Sequence, residues 1–279
     1  MLATILAGFA MVPAAALPTL EIKPVPSPAD QPALWVLSDA DTTIYLFGTF
    51  HALDERTDWF ARSVRAAFDS ADELVLETIV PTDPAELFAM LRRHSLAAPM
   101  AVGAPVVGGP VVGSTRGSFA ATAGQAMAAS RSVGLTVERG ADAVLRRIAD
   151  AQGKPVDGLE SFDFQLALLA DLPVAAAVPR AAGPARPPDT KRMLLDMRSA
   201  WKRGDGSNFA AVLGSLEAQS PATYQRMFVD RNSHWARWIA ERMERPGTVF
   251  VAVGTGHLIG RDSVQRKLAS HGFTATRID

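Results

Sequence analysis

Two apolar runs far apart in the chain end in the same way. "TIYLF", Thr43 to Phe47, breaks at Gly48 and is followed by His51; "TVFVAV", Thr248 to Val253, breaks at Gly254 and is followed by His257. Short runs rich in β-branched and aromatic residues, cut off by glycine, read as buried strands. In open α/β sheets the ligand crevice lies outside the carboxyl ends of the strands. Two strand ends that both deliver a histidine three residues past a glycine therefore point to one shared site on an α/β sheet. Glycine at each end is expected to let the backbone turn with positive φ and pass close to a ligand.

The rest of the pattern agrees with that class. "ALWVLSDADTTIYLF" reads as a hairpin turning at Ser38 to Asp41. Phe60, Val64, Ala67 and Phe68 fall on one helical face, and "DELVLE", 72–77, follows as a strand, giving a strand–helix–strand unit whose strands are expected to be parallel. Helices are expected over 119–134, 141–152, with Val144, Leu145 and Ile148 inward, and 162–170. Three more are expected near 189–203, 207–218 and 221–244, followed by one over 263–271. "KPVDGLE", 154–160, and "TATRI", 274–278, read as strands, and "LFAM" and "MFVDR" as core. The Gly/Pro/Val-rich stretch 99–118 and the Pro/Ala-rich stretch 172–189 read as loops or connectors. The expected fold is α/β, with a mixed, largely parallel sheet flanked by helices and a helical cap formed by the middle of the chain, about 84–245.

Composition narrows the function. The 279 residues include no cysteine, which removes disulfides, thiolate metal sites and cysteine nucleophiles. A formal net charge of -1 argues against nucleic acid as a partner, because neutralising phosphates takes clustered Lys and Arg in excess. A peptide or small-molecule substrate is expected instead. Residues 1–16, apolar, uncharged in their side chains and ending in small residues, read as a secretory signal peptide; 17–33 read as a Pro-rich linker and 34–279 as the α/β domain. The expected location is periplasmic or secreted, with no stable membrane span once the signal is cleaved.

Four strand ends finish in a His or a Glu: His51, His257, Glu77 and Glu160. Two imidazoles with one or two carboxylates suit a divalent ion such as Mn, Co or Zn, and a glutamate not spent on the ion can act as general base. Arg231 lies between Phe228 and Trp235 on an apolar helical face. A guanidinium buried there must find a carboxylate, on the protein or on a ligand.

In chain order, "LFGTFHALDE", "ADELVLE", "GLESFDFQ", "DRNSHWARWI" and "VAVGTGHLIG" resemble the motifs of the TraB/GumN proteins, which include the Tiki-type metalloproteases and share a fold with the erythromycin esterase and ChaN-like group. The resemblance implies that the paired histidines and the two glutamates form the site, and that Arg231 and Asn232 belong to an Arg-Asn helix motif. It also implies a divalent-metal-dependent hydrolase of peptide or ester bonds. On this reading His51, His257 and Glu160 hold the ion, and Glu77, Glu160 and Arg231 serve the chemistry, the two glutamates being interchangeable at this stage. Ion occupancy is expected to fall below about pH 6.5, where free histidines protonate. A binding protein of the same fold, for instance one that takes haem through one histidine, is the alternative. The stretches 99–118 and 171–188 have no match to the family pattern.

Overall fold

A computed structural model of the chain describes residues 31–94, 96, 128–171 and 190–278. Six strands form one sheet: β1 (Leu34–Ser38), β2 (Thr42–Thr49), β3 (Glu73–Thr78), β4 (Val156–Glu160), β5 (Gly247–Gly254) and β6 (Thr276–Arg277). Their order is β4-β3-β5-β2-β1-β6. The pairs β4/β3, β3/β5 and β5/β2 are parallel, while β1 runs antiparallel to both β2 and β6. The sheet is thus mixed and largely parallel, as expected.

Alternation along each strand decides which side of the sheet a residue serves. In β5, Val249, Val251 and Val253 enter one buried cluster and Phe250 and Ala252 the other. Both faces are covered by helices, which is why the strands read as continuous apolar runs and not as alternating ones. On one face lie α1 (Arg62–Ser70) and α3 (Ala141–Gln152), together with Trp201 of α5 (Thr190–Lys202) and Phe209 of α6 (Ser207–Gln219). On the other lie Trp235, Ala236 and Ile239 of α7 (221–242), with Val264 and Leu268 of α8 (Val264–Leu268). Each fully buried Val, Leu, Ile or Phe among them contributes about 1.5–3 kcal/mol. Helix α7 is continuous over 221–242 but not uniform: α-helical at Pro221–Tyr224, π-helical at Gln225–Asp230 and α-helical again at Arg231–Arg242.

The hairpin β1/β2 turns where expected, with Asp39 Oδ1 accepting from the Thr42 amide at 2.9 Å. β2 and β3 are parallel as expected, but they are not neighbours: β5 is inserted between them, pairing Thr42 through Thr49 on one side and Glu73 through Leu76 on the other. The strand buried most evenly on both faces takes the centre. Helix α4 (Phe162–Ala170) has the expected bounds, with Ser161 as its cap. The last strand shortens to two residues, and the expected helix 263–271 divides into α8 and a 3-10 turn, Ala269–His271.

Two core assignments fail. "LFAM" lies in α2 (Pro84–Arg93), which has no fully buried residue and leaves Phe88 exposed. "MFVDR" has only its arginine buried, the π turn having none. The expected stretches 1–30, 99–118, 119–127 and 172–189 lie outside the described residues. Among the described residues no helix is long and apolar enough to cross a membrane.

Candidate functional site

Because β4, β3, β5 and β2 run parallel, their carboxyl ends share one edge of the sheet. Glu160 ends β4, Glu77 stands one residue before the end of β3, and the two histidine loops follow β2 and β5. The polypeptide brings all four together there, with Arg231 at the centre.

Gly254 shows how tight the junction is. A Cβ placed on it would lie 2.9 Å from Glu77 Oε1, 3.2 Å from His51 Nε2 and 3.7 Å from His257 Cδ2. The glycine is needed for space and not for an unusual backbone: its φ is -53°, and neither it nor Gly48 lies in the left-handed region. The positive φ expected from the sequence is therefore corrected. Gly48 makes room for Thr255, whose Oγ1 would stand 2.9 Å from an added Cβ.

Arg231 is 5% exposed, and all of its donors are spoken for. Nε donates to both Glu160 oxygens (2.9 and 3.1 Å), and Nη2 to Glu160 Oε2 (2.8 Å) and Glu77 Oε2 (3.1 Å). Nη1 donates to Met227 O (3.3 Å) and His257 Nε2 (3.1 Å). A guanidinium has five N–H groups, so none is left for a substrate. Its face lies over Trp235, 4.6 Å from the ring centroid, and Trp235 Nε1 donates to Glu160 Oε1 at 3.0 Å. Arg231 is therefore an internal cation that holds both glutamates, and Glu160 has both oxygens engaged. The π turn just before Arg231 matters here, because it carries Met227 and Phe228 to the site.

Glu77 is held from several sides. Its Oε1 accepts from the Gly254 amide (2.6 Å) and its Oε2 from Gln165 Nε2 (3.1 Å) as well as from Arg231. Burial opposes its charge, but His257, Arg231, His51 and the Gly254 amide outweigh it and hold the carboxyl at about 2. At neutral pH His257 is uncharged, so this direction rests on Arg231, His51 and the amide. His257 is wedged between Phe228 and Trp235, with centroids 4.9 and 4.4 Å away. Its Nδ1 donates to Asn232 Oδ1 at 2.6 Å, leaving Nε2 to accept from Arg231. Burial presses its pKa down to about 3 against the pull of Glu77, with Arg231 and His51 adding to the depression. Asn232 is fixed in turn by the carbonyls of Asp262 (2.7 Å) and His257 (3.4 Å).

His51 has a different setting. Its side chain is 61% exposed and its Nδ1 lies 3.2 Å from Asp142 Oδ1. Neighbouring protein atoms disfavour its charge, but Asp142 and then Glu77 outweigh them and raise it to about 9. With the ring this open to water, the attraction is screened and contributes little to stability.

The three groups, with Arg231, line a cleft of about 550 Å³ whose walls include Phe50, Leu168, Met197, Phe209 and Phe228. Thr49 Oγ1, at the same strand edge, is buried with no hydrogen-bond partner among the described residues. Asp142 and Gln165 were missed by sequence reasoning. Gln165 lies within "GLESFDFQ", but Asp142 has no signal beyond its place in the first turn of a helix. His94 pairs with Asp163, 3.0 Å away, and His234 is exposed, so neither joins the site.

Donor type and direction can be tested against a divalent ion. His51 Nε2, which must give up a proton to bind an ion, and Glu77 Oε1 lie 3.2 and 2.9 Å from the position a Cβ on Gly254 would take. His257 Nε2 is taken by Arg231 and Glu160 by Arg231 and Trp235, and among the described residues no group of three or more His, Cys, Asp or Glu is arranged to hold a metal. The residues fit an open site of two protein ligands, His51 and Glu77, completed by water or substrate. They do not fit the set His51, His257 and Glu160.

The family model described as the TraB/PrgY/gumN family matches residues 33–101 and 110–277. An uncharacterized protein, YbaP, of Escherichia coli (strain K12) is 32% identical over 146 residues, covering 50% of this chain and 51% of that protein. The YbaP of Shigella flexneri matches with the same figures, so the chain spans about half the length of the curated relatives it matches. No solved structure matches.

Proposed function

The chain belongs to the TraB/PrgY/gumN family, and from that premise we propose that it is a metal-assisted hydrolase of amide or ester bonds, working at the carboxyl edge of its sheet. The observation that carries the reading is the meeting of His51 Nε2, Glu77 Oε1 and the His257 ring around the missing side chain of Gly254. A bound divalent ion would polarise a carbonyl and lower the pKa of a water molecule. Catalytic zinc sites usually have three protein ligands, so an open two-ligand site favours Mn or Co over Zn.

The chain's own groups have distinct parts. His51 Nε2 and Glu77 Oε1 are the donors. Arg231 and the Gly254 amide keep Glu77 ionised, which makes it a ligand and a poor proton acceptor. Glu160 neutralises Arg231 and fixes its plane, with no oxygen free to serve as base. His257, neutral and locked by Asn232, is an uncharged wall of the pocket. Leu168, Met197, Phe209, Met227 and Phe228, contributed by helices between β4 and β5, support the idea of a cap that grips apolar substrate groups and excludes water. The apolar residues 1–16 support export, which N-terminal sequencing of secreted material checks.

Calorimetric titration of Mn, Co and Zn into wild type, His51→Ala and Glu77→Gln tests the reading, together with a peptide and ester hydrolysis screen. Binding by wild type alone, with activity that needs the ion, is expected; equal binding by all three proteins rejects it. A second reading draws on His51, largely exposed beside an apolar cleft: a binding protein for haem or a similar planar ligand. A Soret band on haem addition, lost in His51→Ala, favours that reading instead.

A further inference from the structure

We propose that Asp142 is a positioning residue for His51, holding its Nδ1 so that Nε2 is presented to the point shared with Glu77. The inference rests on the two-ligand site proposed above. A clasp formed by residues 136–142 fixes the His51 loop. The Leu53 amide donates to Thr136 O (3.1 Å), the Thr136 amide to Leu53 O (2.9 Å), and the Ala141 amide to Phe50 O (3.0 Å). Gly140 lies so close to His51 that any Cβ there would collide with the His51 carbonyl oxygen. These backbone contacts register the start of α3 to the loop, and Arg139 adds a side-chain pair to Glu55.

Asp142 stands in the first turn of α3, where a carboxylate also suits the positive end of the helix. From there its Oδ1 lies 3.2 Å from His51 Nδ1. When Nδ1–H donates to a carboxylate, Nε2 is the nitrogen that yields its proton to an ion, and such outer partners orient histidine ligands and raise their basicity. His51 Nε2, so aimed, comes within 3.2 Å of the position a Cβ on Gly254 would take, beside Glu77 Oε1. His257, by contrast, has a neutral amide at Nδ1 and a cation at Nε2.

The test titrates Co²⁺ and Mn²⁺ into the full chain as wild type, Asp142→Ala, Asp142→Asn and, as control, Asp150→Ala. Asp150 pairs with Arg146 on the same helix. Asp142→Ala is expected to weaken the ion by about 10- to 100-fold and to alter the Co²⁺ visible spectrum. Asp142→Asn, which keeps one acceptor of the same size, is expected to lose about threefold, since a neutral acceptor holds the ring less firmly. The control is expected to bind as wild type, and all four proteins to melt at similar temperatures. Wild-type affinity in Asp142→Ala overturns the inference, as does an equal loss in the control. If the alanine variant does not fold, wild-type affinity in the asparagine variant does the same. A wild type that binds neither ion removes the metal reading itself and this inference with it, an outcome distinct from the others.

Discussion

The two histidine loops share a motif, a sheet edge and a neighbour in Glu77, yet their rings have opposite protonation. His51 is open to water, faces Asp142 and is raised to about 9; His257 is buried between two aromatic rings, faces Asn232 and Arg231, and is lowered to about 3. The Gly-x-x-His spacing places a ring at a strand end. What packs around that ring sets its charge. Behind His51 stands the start of α3, whereas His257 lies under α7, so one ring stays open to water and the other is closed into the scaffold.

The strongest way to break this division is to remove the cation that serves the buried loop. Arg231→Met leaves Glu77 and Glu160 without their partner and is expected to cost about 3–5 kcal/mol in chemical denaturation. Pairing it with Glu160→Gln is expected to recover part of that loss, because one uncompensated carboxylate is then gone. Asn232→Ala leaves the buried His257 Nδ1–H without its acceptor and the Asp262 carbonyl without its Asn232 donor, at a cost of about 1–3 kcal/mol for each buried group left unpaired. Unchanged ion affinity in that variant would sharpen the contrast, since His51 and Glu77 are untouched.

Acid exposes the difference by sign. His257 and Glu77 have depressed pKa values in the fold, so the stability they contribute is complete at neutral pH and is lost as pH falls. For His257 the window runs from about 6.5 down toward 3, and for Glu77 from about 4.5 down toward 2. His51 is raised, so its small contribution is present below about 6.5 and fades as pH rises through about 9. Melting temperature measured from pH 9.5 to 3 is expected to show the acid limb in wild type and in His51→Ala, and a flatter limb in Glu77→Gln. The smallest effect is on the open loop: Asp142→Ala is expected to change stability by less than about 1 kcal/mol, an exposed pair being worth no more.

The strand ends could be read in the sequence because a fully buried strand must be apolar on both faces and must stop where a loop begins; Thr43 to Phe47 and Thr248 to Val253 satisfy both. Arg231 and Glu160 were legible for a related reason, since a charge on an apolar face demands a partner. Their distribution was not. Whether Glu160 meets an ion or a guanidinium depends on which side chain α7 sets beside it, and no spacing rule encodes that. Asp142 was hidden because its link to His51 runs through a glycine packed on a carbonyl, a contact that leaves no mark on composition or periodicity. The insertion of β5 between β2 and β3 was not legible, because β5 follows them by well over a hundred residues.

That late arrival governs how the protein comes into being. Until residues 247–254 leave the ribosome, no strand pairing among the described residues joins the β1/β2 hairpin to the β3/β4 pair, and the sheet waits in two halves. Long-range pairing of this kind slows assembly and leaves sticky edges unsatisfied for longer. It also means that His51 and Glu77 meet Gly254 and His257 only once residues 247–257 are in place.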